Sequence, residues 1–295
     1  MKKRILSILA IFSLIFATNL LTACDDDDDD NGSTVYNVEA TVLTNADGDK
    51  LLVTKCGSYS YEYDDEGYLT YVSDSYYGSF DVDWDPFTFE DNKSTVSFTT
   101  NSKGFVTKSV YSYSGSDESR EETTTYSYDS SGHLTKLSFS GKWEEEDDDE
   151  TISETESGTI TLTWSSGNLT KMVWTETYTD EDGTEKETST YNYNYNDAYE
   201  NVTKQYVPTM IIYWGEEPSL GGIFDCAMLA YIGLLGVGPE ELPVSVSIEK
   251  DDGDTDYECS YRLNSDGSVY YWKATDGGDN SGYIYYDDYP EDAEE

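Results

Sequence analysis

Histidine is almost missing from this chain: one residue in 295, His133, stands against 28 tyrosines. Hydrolase triads and His-rich metal centres both need imidazoles held in place by the fold, and a lone histidine beside Gly132, read as an exposed turn residue, argues against either. Cations are scarce as well, with 17 Lys+Arg against 61 Asp+Glu and a formal charge of −44. That balance excludes nucleic acid as a partner, because binding it requires a positive surface to displace counterions. It also repels anionic membranes, and it suits a protein kept soluble in salt or one that gathers cations. Long apolar runs are missing too. The one candidate, Ile5 to Leu21, is broken by Ser7, Ser13, Thr18 and Asn19, whereas a spanning helix needs about 20 predominantly apolar residues.

What that run does have is a basic start, Lys2, Lys3 and Arg4, and small residues at its end, the pattern of a secretory signal over residues 1–23. Leu21-Thr22-Ala23-Cys24 resembles the lipobox of bacterial lipoproteins. The resemblance implies cleavage before Cys24 and a diacylglycerol on its sulfur, with stable anchoring from more than one acyl chain. Residues 24–34 then read as the lipidated cysteine and an acidic tether: Asp25 to Asp30, with Asn31, Gly32 and Ser33, repel one another and stay extended. An acidic run behind a lipidated cysteine also resembles the surface-export signal of Bacteroides-type lipoproteins. It implies a protein anchored in the outer membrane and facing the cell exterior, the periplasmic face being the alternative. Loss of residues 1–23 removes three of the 17 cations and no acid, leaving 14 against 61 and a charge of −47.

Residues 35–295 read as a single domain. Disorder is not expected despite the charge, since 28 Tyr, 6 Trp and 9 Phe supply apolar area that must pack. Cys56, Cys226 and Cys259 have no metal-site spacing. They allow at most one disulfide among any pair, and at least one is read as a buried free thiol.

One pattern recurs along this domain. It reads Tyr61-Glu-Tyr63-Asp-Asp-Glu-Gly67-Tyr-Leu69-Thr70 and again Tyr126-Ser-Tyr128-Asp-Ser-Ser-Gly132-His-Leu134-Thr135-Lys136. Shorter copies end at Gly104-Phe-Val106-Thr107-Lys108, Gly167-Asn-Leu169-Thr170-Lys171, Asn201-Val202-Thr203-Lys204 and Gly267-Ser-Val269. A recurring unit marks a repeat architecture, and each unit has hairpin physics. Alternating tyrosines give a strand with one buried face, and an Asp/Ser/Asn turn closes on a glycine that takes positive φ. The expected fold is all-β: an antiparallel hairpin meander that forms a soluble barrel or a strongly curved sheet. The polar face opposite the aromatics carries Ser, Thr, Glu and Lys, which does not fit a membrane barrel's apolar outer band. Tyr61, Tyr63, Tyr126 and Tyr128 are therefore expected to point inward. One segment departs from period 2: Ile223, Phe224, Ala227, Met228, Tyr231, Ile232 and Leu235 predict an apolar helix over about 223–235 that plugs or caps the sheet, with Leu242-Pro243 marking the return to strand.

The Tyr-x-Tyr-Asp-x-x-Gly-x-Leu-Thr unit resembles the tyrosine-aspartate repeats of Rhs-type proteins, though with a longer period. Together with Gly233-Leu234-Leu235-Gly236, Leu242-Pro243 and the lipoprotein start, it resembles more closely a Bacteroides-type lipoprotein family with a domain of unknown function and a porin-like fold. That resemblance implies fold and location and brings no catalytic residues.

Candidate sites are few. Sixty-one acids offer many carboxylate pairs for glycoside hydrolysis, but nearly all are expected to be solvated charge in hairpin tips or the tether. Asn45-Ala-Asp47-Gly-Asp49 and Asp251-Asp-Gly-Asp254-Thr-Asp256 resemble fragments of calcium loops without the glutamate at position twelve. Calcium at Asp47, Asp49, Asp251, Asp254 and Asp256 is thus the one cofactor considered, and none is required. The runs Tyr270-Tyr271-Trp272 and Tyr283-Ile284-Tyr285-Tyr286 put aromatics on both faces of their strands and are the candidates for stacking on sugar rings. The leading expectation is a non-enzymatic envelope lipoprotein that binds an extracellular glycan or protein. A structural module supporting a neighbouring receptor or adhesin is the alternative, and a glycoside hydrolase the third reading.

Overall fold

The computed structural model describes residues 43–44, 46, 48–74, 78–84, 86–147, 150–180, 183–211, 226–250, 253–276 and 279–287, all within one compact unit, Tyr36–Glu295. The signal segment, Cys24, the tether, Asp47 and Asp251 lie outside the described residues. Strands β1 (Leu43–Thr44) and β2 (Lys50–Leu51) pair as a short ribbon. There follow β3 (Val53–Cys56), β4 (Tyr59–Tyr63), β5 (Leu69–Asp74), β6 (Gly78–Trp84), β7 (Phe87–Glu90), β8 (Ser94–Thr100), β9 (Val106–Ser114) and β10 (Glu118–Tyr128). The second half holds β11 (Leu134–Asp147), β12 (Glu150–Ser165), β13 (Asn168–Thr179), β14 (Thr184–Asn194), β15 (Ser245–Glu249), β16 (Thr255–Leu263), β17 (Val269–Thr275) and β18 (Asp279–Tyr286). From β3 onward each strand pairs antiparallel with the next, and β18 closes on β3, so the described residues form a closed barrel of 16 strands. Closure decides between the two expected forms, because a meander of this length leaves an exposed edge unless it joins itself.

The sequence repeat is the turn at one end of this barrel, and each conserved-looking position has a bond to make. Asp64, Asn101 and Asp129 accept on Oδ1 from the backbone N–H groups two and four residues on. Gly67, Gly104 and Gly132 close these turns with φ of 83°, 82° and 96°, a region open to glycine at no steric cost. Thr70, Thr107, Thr135 and Thr170 then donate their hydroxyls back to Glu62, Thr99, Ser127 and Thr163, 3.0–3.1 Å away, at the register shift of the partner strand.

The repeat's aromatics complete the unit. The hydroxyls of Tyr63, Tyr128, Tyr195 and Tyr286 donate to the carbonyls of Val53, Val106, Leu169 and Val269. The indole N–H groups of Trp84 and Trp164 do the same to Leu69 and Leu134. A phenol or indole buried at this level needs a partner, and apart from Val53 the carbonyls offered are those just after each turn. The Tyr/Trp and Leu/Val positions of the repeat thus stitch neighbouring strands in a belt around the barrel.

Between β14 and β15 the described residues, 195–211 and 226–244, enter the barrel instead of returning as a hairpin. They carry two short helices, α1 (Pro208–Ile211) and α2 (Cys226–Tyr231). Tyr206, Val207, Met210, Met228, Leu229, Leu234 and Leu235 are all buried. The wall tyrosines reach this plug: Tyr61 donates to the Met228 carbonyl at 3.0 Å, Tyr193 to that of Met210 at 2.8 Å, and Tyr261 to that of Pro243 at 2.8 Å. Gln205 bridges the other way, donating to the Tyr231 carbonyl at 2.7 Å and accepting from Tyr286 at 3.0 Å. Irregular backbone in a closed interior must have its carbonyls paired, and tyrosine does this from an apolar body with a hydroxyl at its tip. Burial pushes the pKa of Tyr61, Tyr193, Tyr261 and Tyr286 well up, so they remain donors.

The predicted helix over 223–235 is shorter where it is described. Gly233, at φ 82°, ends α2 by donating to the Ala230 carbonyl while Leu234 N–H reaches Leu229, a left-handed cap that satisfies the last carbonyls. The helix α1 was not expected; Pro208 at its first position suits a helix start. Cys56 and Cys259 are buried free thiols whose pKa is pushed up by burial, that of Cys259 to about 11.

Candidate functional site

Two assemblies stand out, one on each face of the wall. Outside, the register of β16, β17, β18 and β3 builds three rows. Arg262, Tyr271 and Tyr283 form the middle row, Ser260, Lys273 and Ser281 the next toward the hairpin tips, and Tyr285, Lys55 and Ser60 the next toward the turns. The Tyr271 and Tyr283 rings meet edge to face at 5.2 Å, and Tyr283 and Tyr285 stack at 6.0 Å. The Arg262 guanidinium lies 5.0 Å from the Tyr271 ring centre and Lys55 Nζ 5.5 Å from that of Tyr285. Tyr283 is 38% exposed; Tyr271 and Tyr285 are half-buried. Alternation along the strand places these three on one face.

The same alternation removes two of the predicted aromatics from the surface. Trp272 (5% exposed) and Tyr286 (0%) point into the barrel, Trp272 packing over Gly282 and Tyr286 bonding the plug. They are corrected from binding candidates to core. Tyr270 is the extra residue at the register shift between Arg262 and Leu263, half-buried and outside the three rows.

Inside, the long strands β10–β14 carry acids toward their hairpin-tip ends. Glu122, Gly141, Glu156 and Tyr178 share one row of the register, and Gly158, Glu176 and Glu187 the next. Glu122 and Glu156 are each only 3% exposed, two exceptions within the expectation that nearly all the acids are solvated. Arg120 Nη2 lies 3.4 Å from Glu122 Oε2. Glu156 and Glu176 titrate together: burial, then the charge of Glu122, raises the pKa of Glu156, while burial, then the charge of Glu156, lifts that of Glu176 to about 8.

The raised pKa of Glu176 makes stability depend on pH. Glutamate ordinarily titrates near 4.5, so between there and about pH 8 the folded state keeps a proton that the unfolded chain has released. Stability from this pair therefore falls as pH rises through that window and is level above it. Glu176→Gln removes the penalty. Discounted for the partial exposure of Glu176, the gain is about 1–2 kcal/mol at pH 9 and close to zero at pH 5. Thermal melts of both proteins at the two pH values check this, and equal pH slopes for wild type and variant would contradict it.

The other predicted sites are not brought together. Asp49, Asp254 and Asp256 are exposed in or beside turns, and among the described residues no three His, Cys, Asp or Glu side chains converge to hold a metal ion. His133 is less exposed than expected: its ring stacks on Trp164 at 4.3 Å and its Nδ1 lies 3.1 Å from Asp129 Oδ2.

Fold and surfaces together define a closed, internally plugged β-barrel with an outer tyrosine strip. Searches with protein-family models and among curated proteins find no match. Among solved structures, the chain is similar to a porin-like protein from Bacteroides vulgatus ATCC 8482, with 14% identity over 76% of this chain and 91% of that one and a TM-score of 0.48. It is also similar to a porin-like protein from Bacteroides uniformis ATCC 8492, with 17% identity over 79% and 91% and a TM-score of 0.47. Likeness at that level leaves function to be read from this chain's own residues.

Proposed function

We propose that this chain is a lipid-anchored, non-enzymatic envelope protein whose barrel stands in water and whose outer tyrosine strip binds an extracellular glycan. The outer strip carries the reading. Stacked, partly exposed tyrosines on a rigid sheet present flat apolar faces and hydroxyls together, the combination that sugar rings require. The outer wall supports a watery setting: β12 alone presents Thr151, Ser153, Thr155, Ser157, Thr161 and Thr163 as exposed residues, and hydrocarbon would leave such a face without the apolar band a membrane barrel needs. The plug supports a binding role over conduction, since its buried side chains fill the interior. The leader and acidic tether support anchoring at Cys24 with the barrel facing the cell exterior.

A broad glycan array probed with the full chain in mild detergent, with calcium and with chelator, tests this reading. Binding in both conditions is expected, because the strip contains no calcium-loop acid. Binding lost in chelator would move recognition to the Asp-Gly turns, and silence throughout would turn attention to protein partners.

A further inference from the structure

We infer a second binding site, independent of the outer strip: the inner face of the long strands takes an organic cation, an ammonium or guanidinium group, between Glu156, Glu176 and Tyr178. The chain displays the required chemistry once with its own residues. Tyr111 and Glu122 pair directly across β9 and β10, and Arg120, two residues nearer the hairpin tip than Glu122, serves both. Its guanidinium carbon lies 5.7 Å from the Tyr111 ring centre and its Nη2 3.4 Å from Glu122 Oε2. An acid beside a tyrosine thus brackets a cation, combining opposite charge with the negative face of the ring. The same row repeats the bracket further round the wall, where Glu156 pairs directly with Tyr178 across β12 and β13 and Glu176 stands one row on. There the position two residues nearer the tip is not an arginine but Glu154.

The second bracket is short of positive charge. Arg120 is the one Lys or Arg in the inner rows that run through Arg120, Glu122 and Glu176, and it is already set against Glu122. The charges that act on Glu176 are those of Glu156 and Glu187, both acids, while Glu156 meets Glu122 and the more distant help of Arg120. Glu156 Oε1 is also buried without a hydrogen-bond partner, in a residue only 3% exposed. A carboxylate oxygen left so is costly, and a charged N–H donor is the group that satisfies it best. Among the described residues no three acidic, His or Cys side chains converge on a metal ion, so the fitting cation is a larger one whose N–H groups reach separate carboxylates. Access is from the β14 side, where Glu185 and Glu187 end the two rows as exposed residues beside half-buried Tyr178.

Calorimetric titration of the full chain in mild detergent tests this with two cations: acetyl-arginine methylamide, standing for a basic side chain of another protein, and spermidine, a free polyamine. Acetyl-citrulline methylamide, the neutral counterpart of the first, is the control. One-to-one binding of at least one cation is expected, at least about tenfold tighter than that of the neutral compound. Glu156→Gln/Glu176→Gln should weaken it at least about tenfold, whereas Asp256→Asn/Glu258→Gln, which removes two exposed charges elsewhere on the barrel, should change it less than about twofold; melting temperatures read in parallel show that both variants are folded. Affinity should also rise about tenfold from pH 6 to pH 7.5. Burial and the charge of Glu156 hold Glu176 protonated up to about pH 8, so the cation must displace that proton, and does so more readily as the pH approaches 8. Tyr178 stays a neutral phenol across this range, its pKa pushed up to about 12 by burial and then by Glu154. Exposed carboxylates are ionised throughout it, so diffuse attraction to the acidic surface gives no such rise. Equal affinity for the neutral compound, unchanged affinity in Glu156→Gln/Glu176→Gln, a flat pH profile, or no one-to-one binding by either cation overturns the inference.

Discussion

A chain in which residues 197–242 are replaced by a short Asn-Gly turn fails to form the barrel. The hairpin connection itself is no obstacle, because every other pair of strands consecutive in sequence from β3 to β18 is joined by a short connection. What is lost is the interior. Tyr206, Val207, Met210, Met228, Leu229, Leu234 and Leu235 are all buried, and each large apolar side chain contributes about 1.5–3 kcal/mol on burial. The wall also loses acceptors for Tyr61 and Tyr193, and an orphaned buried hydroxyl costs about 1–3 kcal/mol. Together these exceed the whole stability of an ordinary domain, about 5–15 kcal/mol. The expected outcome is loss of the near-ultraviolet tyrosine signal and of any cooperative melt. A shortened chain that melts cooperatively near the wild-type temperature would show that the wall sustains itself and that the segment is an accessory.

Gly236→Ala has the second largest expected effect, since it strikes the seam between plug and wall. Gly236 sits at φ 93°, which an L side chain rarely adopts, and a Cβ there would lie 2.4 Å from the Gly132 carbonyl oxygen and 2.9 Å from the Tyr128 ring. The backbone on one side is the repeat turn and cannot retreat, because the Gly132 carbonyl also accepts the Val237 N–H at 3.0 Å. Strain and displacement together should cost about 3 kcal/mol. Chemical denaturation checks this; a change below about 1 kcal/mol would mean that the seam is loose.

The barrel was legible because its physics is repeated. Tyrosines at period 2 and a glycine after each polar turn mark the hairpins, and the threonine after Leu or Val turned out to donate to the partner strand at its register shift. Closure was not legible: β18 meeting β3 joins residues more than two hundred positions apart, and local spacing carries no information about it. The plug was half legible. Its helical spacing between Gly222 and Gly236 showed in the sequence, whereas its bonds to wall tyrosines depend on which carbonyls come within reach. The buried acids were missed for a simpler reason. Glu122 shares the parity of Thr124 and Tyr126, and Glu176 that of Met172 and Trp174, so counting along each strand from its inward aromatics would have placed both carboxylates inside. The same counting separates Tyr271, Tyr283 and Tyr285 from Trp272 and Tyr286, which the sequence reading had grouped together.

The measurement that bears most directly on the account is calorimetric titration of wild type and of Tyr283→Ala/Tyr285→Ala with a glycan that wild type binds on the array. Both substitutions fall on the outer face, so the melting temperature should stay within a few degrees of wild type. Affinity should fall at least about tenfold as two stacking rings are lost. A variant that binds as tightly as wild type would contradict the assignment of the strip as the binding surface.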